Sequence, residues 1–209
     1  NHGMGIPSIN ILLHEITVLL NDGGAQDYVY LRIGSCGGIG VDAGTVIISS
    51  IALNSNLEPY YEINILGNII KRNTFGNPTI INELLSIKNN NFNTISGKTL
   101  CTNDFYEEQL RLDGAIHVID NNDVEKYLNV LKEEGIVNIE MESLALYSFC
   151  NILNIKSAVI SVVLVNRFND KRYNIDYDIY PQTLAVKYMC NKLFDKDKCK
   201  EITNFFERV

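Results

Sequence analysis

Positive charge is in short supply in this chain: 18 Lys and Arg stand against 25 Asp and Glu in 209 residues, a formal net charge of −7. That balance argues against a nucleic-acid partner, which wants a basic face. It also means that an anionic substrate has to be captured by local arginines, because a distant field is screened beyond ~8 Å. No apolar run approaches the ~20 residues of a membrane helix, so no membrane partner is expected. The opening residues, NHGMGIPS, lack the basic start and small-residue cleavage site of a signal peptide, and the expected location is cytoplasmic. Cysteine is odd in number: Cys36, Cys101, Cys150, Cys190 and Cys199 form no C-x-x-C pair and none lies beside a ligand-spaced histidine. Reduced structural thiols and no metal centre are expected, with a redox role left open only for Cys190 and Cys199, which flank a charged stretch. Linkers, repeats and low-complexity tracts are absent, and KNNNFN at 88–93 reads as a surface loop. With 46% hydrophobic and 21% charged residues, the chain is expected to form one domain over 1–209.

Apolar periodicity alternates between helix and strand. Ile9, Leu12, Leu13, Ile16, Leu19 and Leu20 recur at helical spacing, opened by Pro7-Ser8 and stopped by Gly23-Gly24. Strands follow over 28–34 and, after a glycine-rich turn, over 44–53. A helix near 79–88, a strand ending at 97–102, a helix over 124–134, a short strand into 138–141, a helix over 142–153, a strand over 157–165 and a closing helix over 181–194 complete the pattern. Strands alternating with helices predict an α/β layered fold around a largely buried sheet. In such folds ligands gather where strands run out and helices begin, since loops there vary freely and helix N-termini present amides.

Three segments lie at such places. In LRIGSCGGIG, 31–40, Arg32 ends an apolar strand and is followed by Ser35 and four glycines, Gly37 among them. This is neither a Walker loop nor G-x-G-x-x-G, but glycine amides, a serine hydroxyl and a guanidinium fork together suit an anion such as phosphate. The alternative is a tight turn with Arg32 in a structural ion pair. CTNDFYEEQLRLDG, 101–114, sets Phe105, Gln109 and Arg111 close together. An aromatic face, an amide that both accepts and donates, and a donor-only guanidinium suit a planar ring such as uracil, against the alternative of a solvated turn with an aromatic plug. NIEMESLALYSFCN, 138–151, places two carboxylates at the threshold of an apolar run with no Lys or Arg to neutralise them, so a hydroxylic or cationic group should meet them. If Met141 and Glu142 end a strand and begin a helix, the Glu142 carboxylate is favoured by the positive helix end. It would then accept both hydroxyls of a ribose diol, with Met141 covering the sugar. The alternative makes Glu142 a helix-start residue and Met141 core.

Order and wording together match one family. From HGMGIPS through RIG and GGIG, CTNDFYEEQLRLDG, NIEMES and VLVNR, the chain resembles the nucleoside phosphorylases of the type acting on uridine, most closely those of animals, over nearly its whole length. The resemblance implies a central mixed β-sheet, partly barrel-like, with helices around it. It implies phosphorolysis of uridine to uracil and ribose 1-phosphate in pyrimidine salvage, with the choice between uridine and deoxyuridine left open. It implies no metal and no organic cofactor, inorganic phosphate being a co-substrate, and a homodimer with sites near the interface.

Carried over by position, Arg32 and Ser35, with Gly37, would hold phosphate; Met141 and Glu142 the sugar; Phe105, Gln109 and Arg111 the base. Leu164 and Val165 would line the base pocket, and Arg167 would steady the Gln109/Arg111 pair. Glu140 would either touch the sugar or orient Arg32. Purine-specific relatives carry an aspartate after the corresponding late strand, where this chain has Asn166-Arg167, so a pyrimidine base is preferred. Relatives of the family carry further sequence upstream of HGMG, including other phosphate contacts and a histidine near the ribose, which His2, His14 and His117 do not replace. Ser35 stands where threonine is common, Leu110 replaces a small residue, and the flap stretch after Arg167 reads as shorter than in relatives. Two alternatives stay open: a phosphorylase of broader or purine preference, and a catalytically silent nucleoside-binding homologue.

Overall fold

The computed structural model describes residues 1–169, 179–195, 197–199 and 201–202. Along the chain run α1 (Ile6–Asp22), β1 (Val29–Gly38), β2 (Val46–Leu53), β3 (Tyr60–Ile65), β4 (Asn68–Asn73) and α2 (Pro78–Ser86). They are followed by β5 (Thr94–Cys101), α3 (Asn121–Glu133), β6 (Ile136–Glu140), α4 (Ser143–Leu153), β7 (Lys156–Asn166) and α5 (Ile179–Leu193). Five strands close into a barrel in the order β1-β6-β5-β2-β7. The sheet is mixed: β1/β7, β2/β5 and β5/β6 pair parallel, β1/β6 and β2/β7 antiparallel. Closure removes the exposed edges that an open sheet of this kind would present. The expected mixed, barrel-like α/β architecture is the one the chain adopts.

Burial explains the sequence pattern. Strands β2 and β7 are nearly continuous apolar runs because helices cover them outside while the barrel encloses them inside. Helices α1 and α4 meet over Ile6, Ile9, Leu13, Leu146 and Tyr147. Helices α2 and α5 close over Val46, Ile48 and Ile160. Helix α3 lays Leu128 and Leu131 against Leu100 and Ile139. Inside the barrel a polar ladder is fully buried: Ser49 Oγ and Thr99 Oγ1 are 2.6 Å apart, and Thr99 donates to Asn138 Oδ1 at 2.8 Å.

Helix starts follow local chemistry. Asn77 accepts from the Ile80 amide at 3.1 Å with Pro78 in the first turn. Asp120 and Asp123 form a reciprocal capping box at α3. Helix α1 opens on Gly5, whose φ of 84° needs a residue without Cβ.

Three features differ from the sequence reading. Strand β1 extends through Gly38, so the glycines at 34, 37 and 38 lie within the strand and the turn falls later. The β3–β4 hairpin was not anticipated; its tip is Leu66-Gly67, with φ of 51° and 81°, a two-residue turn that hides because Leu rarely takes a left-handed conformation. On α1 the buried face is Ile6, Ile9, Leu13 and Thr17, and Leu19 is exposed.

All five cysteines are free, four of them buried, and burial pushes the Cys36 thiol up to about 12 and Cys150 to about 11. Such thiols stay protonated and inert at neutral pH. Among the described residues, no helix is long and apolar enough to cross a membrane and no group of metal-ligating side chains forms.

Candidate active site

Strand β1 carries Arg32 into a polar cluster built at the β6–α4 junction. Its guanidinium pairs with Glu142 Oε2 and lies 3.1 Å from Glu140 Oε2, and the three side chains are 9% exposed or less. The cation that the two glutamates lack in their own stretch therefore comes from a strand more than a hundred residues earlier.

The carboxylates divide the remaining work in a way the sequence did not foretell. Glu142 is the residue before α4 but makes no capping bond to it. It is Glu140 whose oxygens accept from the Glu142 amide at 3.0 Å, the Ser143 amide at 3.1 Å and the Ser143 hydroxyl, so Glu140 is the group held at the positive helix end. Of the two roles left open for Glu140, orienting Arg32 is the one with contacts behind it. Glu142 Oε1 accepts the Gly5 amide at 2.7 Å, which ties the start of α1 to the same carboxylate. Burial pushes the Glu142 carboxyl above the ordinary glutamate range; Glu140's charge adds to this, while Arg32 and the Gly5 amide oppose it. Met141 is half-buried between the two carboxylates.

Among the described residues, Arg32 Nε and Nη1 have no hydrogen-bond acceptor in proper geometry despite their burial. Nearby, burial and then the Arg32 charge hold the His2 imidazole below its ordinary value, and its buried Nδ1 also has no partner among these residues. His14 packs edge-on against Phe149, 4.9 Å away, and contributes nothing to this cluster. Ser35 is exposed, three positions along β1 from Arg32, an odd spacing that points its side chain to the other face of the strand. No contact joins Ser35 to Arg32 in this structure.

The second cluster is the loop 102–120. Arg111 forks onto Asp113 through Nε–Oδ1 at 2.9 Å and Nη2–Oδ2 at 2.5 Å. Its guanidinium carbon lies 4.4 Å from the Phe105 ring centre and 5.3 Å from that of Tyr106. Gln109 is buried, and its main-chain carbonyl accepts from Arg167 Nη2; Arg167 thus braces this loop by a direct bond. Arg167 follows β7, whose Leu164 is exposed and whose Val165 pairs with Gly37. At Gly37 an added Cβ would come within 2.9 Å of Arg167 Cδ, so this glycine makes room for a side chain.

Between Gln109 and Arg111 sits Leu110 at φ 59°, a left-handed conformation that costs a residue with a Cβ roughly 1–2 kcal/mol. Its half-buried side chain packs on the α3 cluster, which offsets that cost. A cavity of about 670 Å³ opens here, walled by Leu110, Arg111, Asp113, Glu125, Arg167 and Phe168. Arg32 and Glu142 are not among its walls. The four residues expected around a single cavity therefore form two groups, Arg32 with Glu142 and Gln109 with Arg111, joined along β1 by the short step from Arg32 to Gly37. The expected flap falls in part on 170–178, outside the described residues. Sequence reasoning also missed Asp113 and Gly5; the Arg-x-Asp spacing was the available signal for the first, and the glycine before Ile-Pro for the second.

With this geometry in view, a family model described as the phosphorylase superfamily matches residues 1–189. The chain belongs to the phosphorylase superfamily. It is 39% identical to human uridine phosphorylase 2 over 201 residues, covering 92% of this chain and 63% of the relative. It is 38% identical over 170 residues to a Schistosoma mansoni protein named inactive uridine phosphorylase B, covering 80% and 57%. The solved Schistosoma mansoni uridine phosphorylase in complex with uracil superposes with a TM-score of 0.87 at 36% identity, covering 92% of this chain and 70% of that one. The chain thus spans about three fifths of the length of these curated relatives.

Leu110→Gly, which relieves the left-handed strain, is expected to be more stable than Leu110→Ala by about 1 kcal/mol, the reverse of the usual order in regular structure; urea unfolding of the two variants checks this. Glu142 gives a pH signature. A carboxyl raised above its ordinary value of 4.5 binds its proton more tightly folded than unfolded, so its contribution to stability is present below that value and is lost as pH rises. Glu142→Gln cannot titrate, so its stability deficit relative to the parent is expected to shrink between about pH 4 and 7. A deficit that grows over that window would mean that Arg32 outweighs burial.

Proposed function

We propose that this chain forms the core of a phosphorylase that cleaves uridine with inorganic phosphate to uracil and ribose 1-phosphate, in pyrimidine salvage, as a cytoplasmic homodimer. The observation that carries the reading is the Arg32–Glu142 pair. It sets a buried guanidinium, whose Nε–H has no acceptor among the described residues, beside a carboxylate able to accept a diol, which is what a site for an anion next to a ribose requires. The names of the relatives support uridine as the nucleoside.

As the glycosidic bond stretches, positive charge grows on the sugar and negative charge on the departing uracil. Arg32 holds phosphate against the ribose face, turning a bimolecular encounter into a local one, while Ser35 lies on the opposite face of β1 and is not drawn into the scheme. Glu142 fixes the 2′,3′-diol, and Met141 covers the sugar. Gln109, whose side-chain amide makes no hydrogen bond among the described residues, and Arg111, kept in orientation by Asp113 and by Phe105, donate to the carbonyl oxygens of uracil. By analogy with oxyanion holes, each well-placed donor is worth about 3 kcal/mol in the transition state. Leu164 and Val165 flank the base, and Arg167 keeps Gln109 in place. Because the leaving group departs as a delocalised anion, no general acid, metal or organic cofactor enters the scheme.

A second reading is a nucleoside-binding homologue without turnover. The left-handed Leu110 in the base loop and the near-equal identity to a relative named inactive favour it.

Uracil release from uridine, followed with and without phosphate, decides between them. Turnover that needs phosphate and exceeds inosine cleavage is expected, with Arg111→Ala lowering kcat/KM by roughly two orders of magnitude. Uracil binding by calorimetry with no phosphate-dependent turnover would establish the second reading, and faster inosine cleavage would reverse the choice of base.

A further inference from the structure

Strand β1 contains a glycine for which the backbone gives no reason. Gly34 has no left-handed φ and is paired with Ser161 in the β1/β7 ladder, so any residue can adopt its conformation, and a glycine inside a strand weakens it. What distinguishes the position is its neighbour. An added Cβ would lie 2.8 Å from Arg32 Nη1 and 3.0 Å from Cζ and Nη2, distances at which one group must move. Gly38 is different in kind: a Cβ there would meet the Val41 carbonyl oxygen at 2.6 Å and Val163 Cγ1 at 2.7 Å, so that glycine serves the packing of the barrel wall.

We propose that Gly34 is a positioning residue for Arg32: its bare backbone is the bed across which the Arg32 side chain lies to reach Glu140 and Glu142. The terminus of an exposed arginine would sidestep a methyl group at little cost. Arg32 cannot do so without leaving its partners, because its side chain is 9% exposed and its guanidinium is engaged with two carboxylates. Alanine at 34 therefore acts on the orientation of the guanidinium before it acts on the fold. The same device recurs at Gly37 beneath Arg167. Gly34 and Gly37 thus serve as clearances for two arginine side chains, one in each cluster.

The kinetic half of the test rests on the reading of Arg32 as the phosphate holder; the stability half does not. Gly34→Ala, Arg32→Ala and the double variant are compared by thermal unfolding, and Gly34→Ala is assayed for phosphate-dependent uridine cleavage. Gly34→Ala is expected to lower Tm in the parent and to raise it in the Arg32→Ala background, where the clash is gone and alanine reduces unfolded-state freedom. Its KM for phosphate is expected to rise about tenfold or more, the scale of a misaligned charge-assisted hydrogen bond. An equal loss of Tm in both backgrounds, or an unchanged KM for phosphate in a parent that turns over, overturns the proposal. If the parent does not cleave uridine, the functional reading fails and the Tm comparison alone decides the role of Gly34. Should Gly34→Ala not fold by itself, a double variant that folds with a Tm at or above that of Arg32→Ala supports the proposal, and a double variant that fails to fold where Arg32→Ala folds overturns it.

Discussion

A buried guanidinium shared by two carboxylates organises this molecule. Arg32 comes from β1, Glu140 ends β6, and Glu142 precedes α4, so two ion pairs join a barrel strand to the strand–helix junction beside it. One cation against two anions leaves the cluster a negative charge in excess, and the structure disperses it with dipoles. Glu140 draws on the amides at the head of α4 and on the Ser143 hydroxyl, and Glu142 on the Gly5 amide. A buried ion pair of this kind is no guarantee of stability, because desolvation opposes it. Its service is geometric: it holds in a fixed place a set of groups that would otherwise be mobile, the condition for binding and charge stabilisation at low reorganisation cost.

The loop 102–120 obeys a similar logic with weaker contacts. Arg111 is partly exposed, and its carboxylate partner Asp113 more so, so their ion pair contributes little to stability. Stacking on Phe105 and Tyr106 and the brace from Arg167 supply the order instead. Leu110 spends local strain to anchor the same turn on the α3 core. Strand β1 carries Arg32 in one cluster and meets Arg167 of the other, and its glycines at 34 and 37 leave room for those two side chains.

Much of this was legible in the residues. Period-two and period-3.6 apolar patterns located most of the elements of the barrel and its helices because burial dictates them. The caps at Asn77 and Asp120 use ordinary chemistry, yet the sequence reading began these helices after them, at 79 and 124. The hairpin at Leu66-Gly67 was hidden because its turn uses a leucine where asparagine or glycine is usual. Motif wording placed Arg32, Gln109, Arg111 and Glu142, but wording carries no information on which carboxylate oxygen meets which amide, so the capping role passed unexpectedly from Glu142 to Glu140. Ser35 shows the same gap: strand alternation decides its facing, and a sequence string does not display where a strand ends. The clearance role of glycines 34 and 37 depends on side chains contributed from their own strand and from β7, which only packing reveals.

The account stands or falls on whether Arg32 and its carboxylates act as one unit. Unfolding free energies of Arg32→Met, Glu140→Gln and the double variant measure this directly. If the cluster is a unit, Arg32→Met costs about 3 kcal/mol by stranding two buried carboxylates, Glu140→Gln costs less because Arg32 keeps Glu142, and the double change costs less than the sum of the two. Costs that simply add would show that Arg32 and Glu140 are neighbours without coupling, and the central contact would lose its organising role.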